Sequence, residues 1–250
     1  MLLFETIPSG DFCLKDNQID IWEFPLLHPP VQADSLLNST EQARANRYHF
    51  PRHQRRFTAA RAMLRLILAR YLTQDPKQLI FTYGKHGKPR VENCLQLEFN
   101  LSHSRDLALL AIGRRFPLGI DLEFFSPRPY EGIAKHSFSP KELQLFFMLP
   151  NFLKPLSFFH IWAQKEAFIK ASGLGLAYPT QQFDVPITPP SNALISDTLH
   201  EIEWQMVSFM PQLACSAALC YNPQINKIRY QIIKDPTFFD ANQGSRVEQE

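Results

Sequence analysis

The chain has 250 residues, 45% of them apolar and 20% charged, with a formal net charge of +2. That composition excludes a disordered or fibrous chain and suffices for one large domain or two small ones with a real core. No stretch reaches the length of a membrane span, and Met1-Leu2-Leu3-Phe4-Glu5 has no basic region ahead of an apolar run, so the expected protein is cytoplasmic, with no membrane partner. Cys13, Cys94, Cys215 and Cys220 make no Cys-x-x-Cys pair. They read as reduced packing residues rather than zinc ligands.

The near-neutral total hides an asymmetry. Between Arg44 and Arg90 stand twelve Lys or Arg residues and one acid, Asp75, a local excess of +11. Such a block suits phosphates, an acidic protein or nucleic acid.

In chain order, strand-like runs at 12–14 and 19–24 are broken by Pro25, Pro29 and Pro30. Ser39-Thr40-Glu41-Gln42 resembles a capping sequence and predicts a helix start near Ser39. The next helix is clearer, because Phe57, Ala60, Leu64, Ile67, Leu68 and Tyr71 recur at helical spacing. Arg61 and Arg65 lie one turn apart beside that stripe, able to point into a common groove, and Pro76 ends the helical region. Short strands follow at 79–83, 97–101 and 107–112, with a turn at 84–89 before the second; 113–117 closes this half.

The second half repeats the order: a strand, helices at 139–147 and 158–171, then strands near Phe183 and at 204–209, 214–220 and 228–232, with a Pro-rich loop at 186–190. The expected fold is therefore α+β and pseudo-duplicated, two similar halves with the active site between them. The boundaries read as 1–117 (N-terminal subdomain with the basic region), 118–235 (C-terminal subdomain with the acids) and 236–250 (a flexible tail).

Four short motifs carry chemistry. In Gly119-Ile120-Asp121-Leu122-Glu123, period-two alternation sends Ile120 and Leu122 one way and both acids the other. Two carboxylates so close repel unless a cation lies between them, and Mg²⁺ prefers oxygen ligands. By itself the pair is equally a solvated strand face. A third acid, Glu166, lies on the helical stripe of Phe159, Trp162 and Ile169, where a carboxylate needs a partner. Taken alone, Glu166 with Lys170 is an ordinary i,i+4 surface pair. In Asn100-Leu101-Ser102-His103-Ser104, hydroxyls flank an imidazole that can donate to phosphate oxygens, although a loop histidine needs no such role. Gly84-Lys85-His86-Gly87-Lys88-Pro89 is a solvated turn or a backbone approach to a phosphate.

Taken in order and spacing, Phe99-Asn100-Leu101-Ser102-His103-Ser104, Gly119-Ile120-Asp121-Leu122-Glu123, Phe138-Ser139-Pro140-Lys141-Glu142 and the run from Trp162 to Lys170 resemble the 4′-phosphopantetheinyl transferases. The likeness is to the Sfp-type class, monomers of two pseudo-symmetric halves, and covers residues 44–183. It implies transfer of the phosphopantetheine arm of coenzyme A to a serine of an apo acyl or peptidyl carrier protein, releasing 3′,5′-ADP. It further implies that Asp121, Glu123 and Glu166 hold Mg²⁺, with Mn²⁺ left open, and that Glu166 is the base. Lys170 would meet the β-phosphate or the attacked oxygen, and Lys165 is a second candidate. His103 and Ser102 match positions on the coenzyme A phosphates, Arg44 and Arg61 the 3′-phosphate side, and Lys88 the adenine. Arg47, Arg55 and Arg56 are left between carrier docking and plain surface charge, and Glu142 between the metal and a local cap. Arg105 and Ala167 depart from the family pattern, at positions where a small residue and a serine are usual.

Two rival readings stand beside this one, and the acids alone also suit a metal-dependent nuclease or phosphatase. The Arg-rich helix at 54–72 suits a basic nucleic-acid-binding module, which the transferase reading excludes, and an inactive carrier-binding scaffold would keep the surface without the chemistry.

Overall fold

The computed structural model describes residues 4–235 and Phe239, with the backbone alone at Leu176. The tail expected at 236–250, Phe239 apart, lies outside the described residues. In chain order come β1 (Glu5–Thr6), β2 (Gln18–Pro25), α1 (Ala33–Leu36), α2 (Ser39–Asn46), α3 (Pro51–Leu72), β3 (Phe81–Tyr83), β4 (Pro89–Val91), β5 (Leu97–Ser104) and β6 (Leu107–Arg114). Then follow β7 (Gly119–Phe124), α4 (Tyr130–Ser137), α5 (Pro140–Met148), α6 (Lys154–Ser172), β8 (Ser191–Asp197), β9 (Ile202–Phe209), β10 (Cys215–Tyr221) and β11 (Lys227–Ile232).

One sheet has the order β1-β11-β2-β6-β5, a second β7-β10-β9-β8, and β3 pairs with β4. Alternation along the strands assigns each face. On β2 and β6, Trp22, Phe24, Ala108, Leu110 and Ile112 pack under Ala60, Leu64, Ile67 and Leu68 of α3. The opposite set, Ile19, Ile21, Leu107, Leu109 and Ala111, meets Ile120, Leu122, Val207, Ala217 and Leu219 of the second sheet. That sheet's outer face carries α6, whose Phe158, Ile161 and Phe168 pack with Met206, Ala218 and Cys220. The result is four layers, helix–sheet–sheet–helix, each half being a sheet with a long helix on its outer face. A fully buried aromatic side chain such as Phe158 or Phe168 contributes roughly 1.5–3 kcal/mol.

The long helices have local causes. Pro51 begins α3, and Thr73 in the left-handed region closes it with its N–H on Ala69 O, three residues before the expected stop at Pro76. Gly173 (φ 72°) ends α6 with its N–H on Ile169 O. Asn38, not Ser39, caps α2 in a reciprocal box with Glu41.

Other expectations are corrected. Residues 12–14 form no strand, because Asp11 and the Cys13 carbonyl turn to bind Arg229. No strand forms at Phe183; a 3₁₀ turn at Thr180–Gln182 precedes it and its ring stacks on Phe168 at 4.0 Å. Helix α4 and edge strand β8 were not anticipated, since β8 is half exposed and its apolar signal is weak. Strand β11 falls within the expected second span of 118–235 yet pairs in parallel with β2 of the first sheet. Arg229 is drawn there by Asp20, buried at 0% exposure, which receives Arg229 Nε and Nη2 at 2.8 and 2.7 Å.

Candidate active site

Strands β5 and β7 are the facing edges of the two sheets, and no ladder joins them. Side chains replace it. Asn100 Oδ1 accepts the Ile120 N–H at 2.8 Å, and Ser104 Oγ accepts the Phe124 N–H at 3.1 Å. Between them Ser102 Oγ donates to Asp121 Oδ1 at 2.9 Å. The alternating Asn-x-Ser-x-Ser run therefore seals an edge that otherwise leaves backbone donors unmet.

The pleat that buries Ile120 and Leu122 between the sheets turns Asp121 and Glu123 toward α6. Gly119 brings the helix close: a Cβ there would lie 2.1 Å from Ala167 O and 2.4 Å from Ala171 N. Lys170 then reaches Asp121 Oδ1 at 2.5 Å, Ser102 Oγ at 3.0 Å and Ile120 O at 3.3 Å. Asp121 is 4% exposed, and its Oδ2 is buried with no hydrogen-bond partner. Glu123 Oε1 accepts from Trp162 Nε1 at 3.2 Å, and Oε2 from Ser104 Oγ and Arg128 Nη2, both at 3.4 Å. Burial, and after it the Asp121 charge, push the Glu123 carboxyl above its usual range, against the pull of Arg128, Trp162 and Lys170. Glu166 is pushed up to about 7 by burial and then by Asp121; Lys170 opposes the rise and Glu123 adds to it.

Among the described residues, no three His, Cys, Asp or Glu side chains are gathered as a metal-holding cluster. The donor set nevertheless suits a hard cation. Asp121 Oδ2 is a buried anionic oxygen without a partner, and the Asp121 charge lies close enough to raise the proton affinity of both Glu123 and Glu166, with Glu123 adding to the rise at Glu166.

His103 has its imidazole held below its usual range by crowding protein atoms, then by Lys170 and Arg56. Arg56, left undecided in the sequence, binds Asp106 with both Nε (2.8 Å) and Nη2 (3.1 Å). Lys88 crosses from the β3–β4 hairpin to Leu118 O at 2.8 Å, and burial lowers its pKa. A hollow of about 190 Å³ separates Lys88 from Lys170, lined also by His86, Asn100 and Gly173. A second, of about 310 Å³, lies beside Glu166 under Trp162, His136 and Tyr178.

Other expected residues have partners of their own. Arg61 is held by Glu41 Oε1 at 2.8 Å and Tyr83 Oη at 2.9 Å, over the Phe81 ring. Arg65 shares Glu41 but is 0% exposed and also donates to Pro76 O and Leu79 O, so the common groove is a buried ion-pair site. Exposed Arg44 lies over the Phe57 ring. Lys165 is 1% exposed, pairs with Glu142 at 2.9 Å and donates to Thr180 O and Phe183 O. Glu142 closes the α5 capping box and accepts the Val185 N–H, which settles it as structural. Arg105 occupies a positive φ of 51°, where a small residue fits more easily. Trp162, Arg128 and Asn100 were missed as contributors to the site, and the Ser104 hydroxyl, expected toward phosphate, meets Glu123 and the Phe124 N–H; the alternation of 100, 102 and 104 was the available signal.

Residues 117–218 match the family model described as the 4′-phosphopantetheinyl transferase superfamily, and residues 22–114 match "4′-phosphopantetheinyl transferase, N-terminal". The chain is 39% identical over 213 residues to the 4′-phosphopantetheinyl transferase HetI of Nostoc sp., covering 82% of this chain and 88% of that one. It is 30% identical to the 4′-phosphopantetheinyl transferase gsp of Aneurinibacillus migulanus, covering 92% and 97%. With the 4′-phosphopantetheinyl transferase Sfp of Bacillus subtilis the identity is 28%, over 60% of this chain and 66% of the relative.

Proposed function

The chain belongs to the 4′-phosphopantetheinyl transferase superfamily, in its Sfp-type class, and from that premise we propose a division of labour at the seam of β5, β7 and α6. The reaction is transfer of the 4′-phosphopantetheine group of coenzyme A to a serine of an apo carrier protein. The serine oxygen forms a bond to the phosphorus attached to the pantetheine; the anhydride bond to the other phosphate breaks; 3′,5′-ADP leaves with that electron pair. The nucleophile is the carrier's, so the enzyme's task is positioning and charge compensation.

The observation that carries the assignment is the partnerless Asp121 Oδ2 on the face shared with Glu123, Glu166 and Lys170. Asp121, Glu123 and Glu166 are the residues we assign to hold Mg²⁺, with Mn²⁺ as a substitute. When bound, the cation neutralises the diphosphate and the charge that builds on the leaving phosphate. Glu166 receives the serine proton on its carboxylate. Lys170, on α6 one turn beyond Glu166, moves its ammonium from Asp121 to a phosphate oxygen. Ser102 and His103 donate to phosphate, and Arg56 adds charge beside His103. The hollow under Lys88 suits the nucleotide, and the hollow beside Glu166 suits the pantetheine arm. Arg44 retains its expected role toward the 3′-phosphate; for Arg61 that role requires release from Glu41.

Acyl and peptidyl carriers are the proposed partners of a monomeric, cytoplasmic enzyme. Among the described residues no helix is long and apolar enough to cross a membrane. The subdomain division at 117/118 is retained, with β11 assigned to the first. Neither rival reading gains support from the relatives, and much of the basic block is paired internally, Arg56 to Asp106 and Arg61 and Arg65 to Glu41. The test is the intact mass of an apo carrier incubated with the protein, coenzyme A and Mg²⁺. One added phosphopantetheine, lost with EDTA and with Glu166→Ala, supports the reading; coenzyme A that fails to bind at all overturns it.

A further inference from the structure

Trp162 stands apart from the other two tryptophans. Trp22 and Trp204 are 1% and 4% exposed, whereas Trp162 is half-buried at the site itself. Its indole stacks on Phe158, with centroids 6.0 Å apart and planes 14° apart, and Phe158 is fully buried. Stacking on that buried ring favours one orientation of the indole. One edge of the indole points to β7, where Nε1 donates to Glu123 Oε1 at 3.2 Å. The ring also lines the hollow that holds Glu166, which lies one helical turn further along α6.

Glu123 needs such a constraint. A glutamate carboxylate rotates over a broad, nearly twofold torsion, and its orientation is set by whatever donors surround it. Oε2 has two donors, Ser104 and Arg128, each at 3.4 Å, near the limit of a useful bond, and Arg128 comes from a loop. Oε1 has the shorter bond, from a rigid ring on a buried helix. We propose that Trp162 is a positioning residue: its indole N–H fixes the plane of the Glu123 carboxylate, so that the remaining lone pairs face the space shared with Asp121 Oδ2 and Glu166. The inference rests on the cation reading given above. It adds a residue outside the three assigned acids, acting through one of them. A purely structural tryptophan, packed on Phe158 with its N–H incidentally satisfied, has different consequences.

The test is a Mn²⁺ titration of the full chain, with free Mn²⁺ followed by electron paramagnetic resonance and with intrinsic tryptophan emission recorded in parallel. Wild type shows saturable quenching as Mn²⁺ binds, and that component is missing in Trp162→Phe, which keeps the stack on Phe158 but has no N–H. The dissociation constant for Mn²⁺ rises about tenfold in Trp162→Phe, the usual cost of losing an outer partner of a ligand. In a Glu123→Gln background, Trp162→Phe causes little further weakening, because its target is already gone. Trp162→Phe that binds Mn²⁺ as wild type does, or effects of the two substitutions that simply add, overturns the inference and leaves the cation reading standing. Wild-type protein that binds no Mn²⁺ overturns both. If Trp162→Phe fails to fold, the wild-type titration still decides: Mn²⁺ bound without quenching of the emission refutes the role.

Discussion

Replacing Gly119 by alanine tests the joint between β7 and α6 on which the whole site depends. A Cβ at position 119 meets Ala167 O at 2.1 Å, Ala171 N at 2.4 Å and Lys170 C at 2.9 Å, all of them backbone atoms that no rotamer change can clear. To restore van der Waals contact, strand and helix must separate by roughly 1 Å, against cores packed at crystal-like density. Overpacking of this kind costs typically 1–3 kcal/mol, and a backbone clash on two sides belongs at the upper end; the entropic gain of Gly→Ala offsets only about 0.4–1 kcal/mol. A net loss of about 2–3 kcal/mol lowers the midpoint of thermal unfolding by roughly 4–12 °C in a chain of this size. The separation moves Asp121 and Glu123 away from Glu166 and Lys170, and a displacement of about 1 Å at reacting groups costs on the order of 10²-fold in rate. The assay pairs thermal unfolding with carrier-modification rate, measured at a temperature where the variant is folded. Gly132→Ala is the control: on α4, with nothing within 4 Å of its added Cβ, it is expected to be neutral or slightly stabilising. Gly119→Ala with wild-type midpoint and wild-type rate would falsify the claim that close backbone approach assembles the site.

Asp121→Asn keeps the shape and the Ser102 contact but removes the charge facing Lys170, so we expect folded protein with transfer slowed by about 10²–10³-fold; near-normal turnover contradicts the assignment. Lys165→Ala leaves the buried Glu142 carboxylate without its ammonium and should cost about 3–5 kcal/mol in urea unfolding. A stable Lys165→Ala protein with a selective defect in coenzyme A binding would instead restore its phosphate role. His160 is 1% exposed, and burial holds its pKa down to about 4 against a weaker opposing contribution from the Thr188 backbone. The unfolded chain, ionising near 6.5, binds more protons between those values, so this group's contribution to stability is full above pH 6.5 and is lost as pH falls toward 4, by up to about 3 kcal/mol. His160→Leu should flatten that part of the stability–pH curve, and an unchanged slope rules the histidine out. With Glu166 as base and its pKa raised to about 7, the metal-free carboxyl should titrate near neutrality by NMR and fall in Asp121→Asn, because a like charge has gone; a pKa that stays put denies the coupling.

Sequence alone determined the elements with strong periodicity and the chemistry carried by short spacings. The apolar stripe from Phe57 to Tyr71 is α3, and alternation around Asp121 and Glu123 is the pleat of β7, because burial on one face leaves its mark on neighbouring residues. Order and spacing of the Ser-His-Ser, Asp-x-Glu and Lys-Glu runs were enough to name the family. Tertiary structure decided everything that depends on partners distant in the chain. Which arginines of the basic block are available turns on Glu41 and Asp106, whose side chains reach Arg61, Arg65 and Arg56 across 20 to 50 residues. Lys165 and Lys170 lie on one helix five residues apart, yet packing buries the first on Glu142 and turns the second to Asp121. Strand β11 joins the first sheet because a buried aspartate, Asp20, requires the Arg229 cation. Local spacing records the periodicity of a buried face; the partner of a charge is chosen in three dimensions, where the cost of burying it unpaired outweighs any local preference.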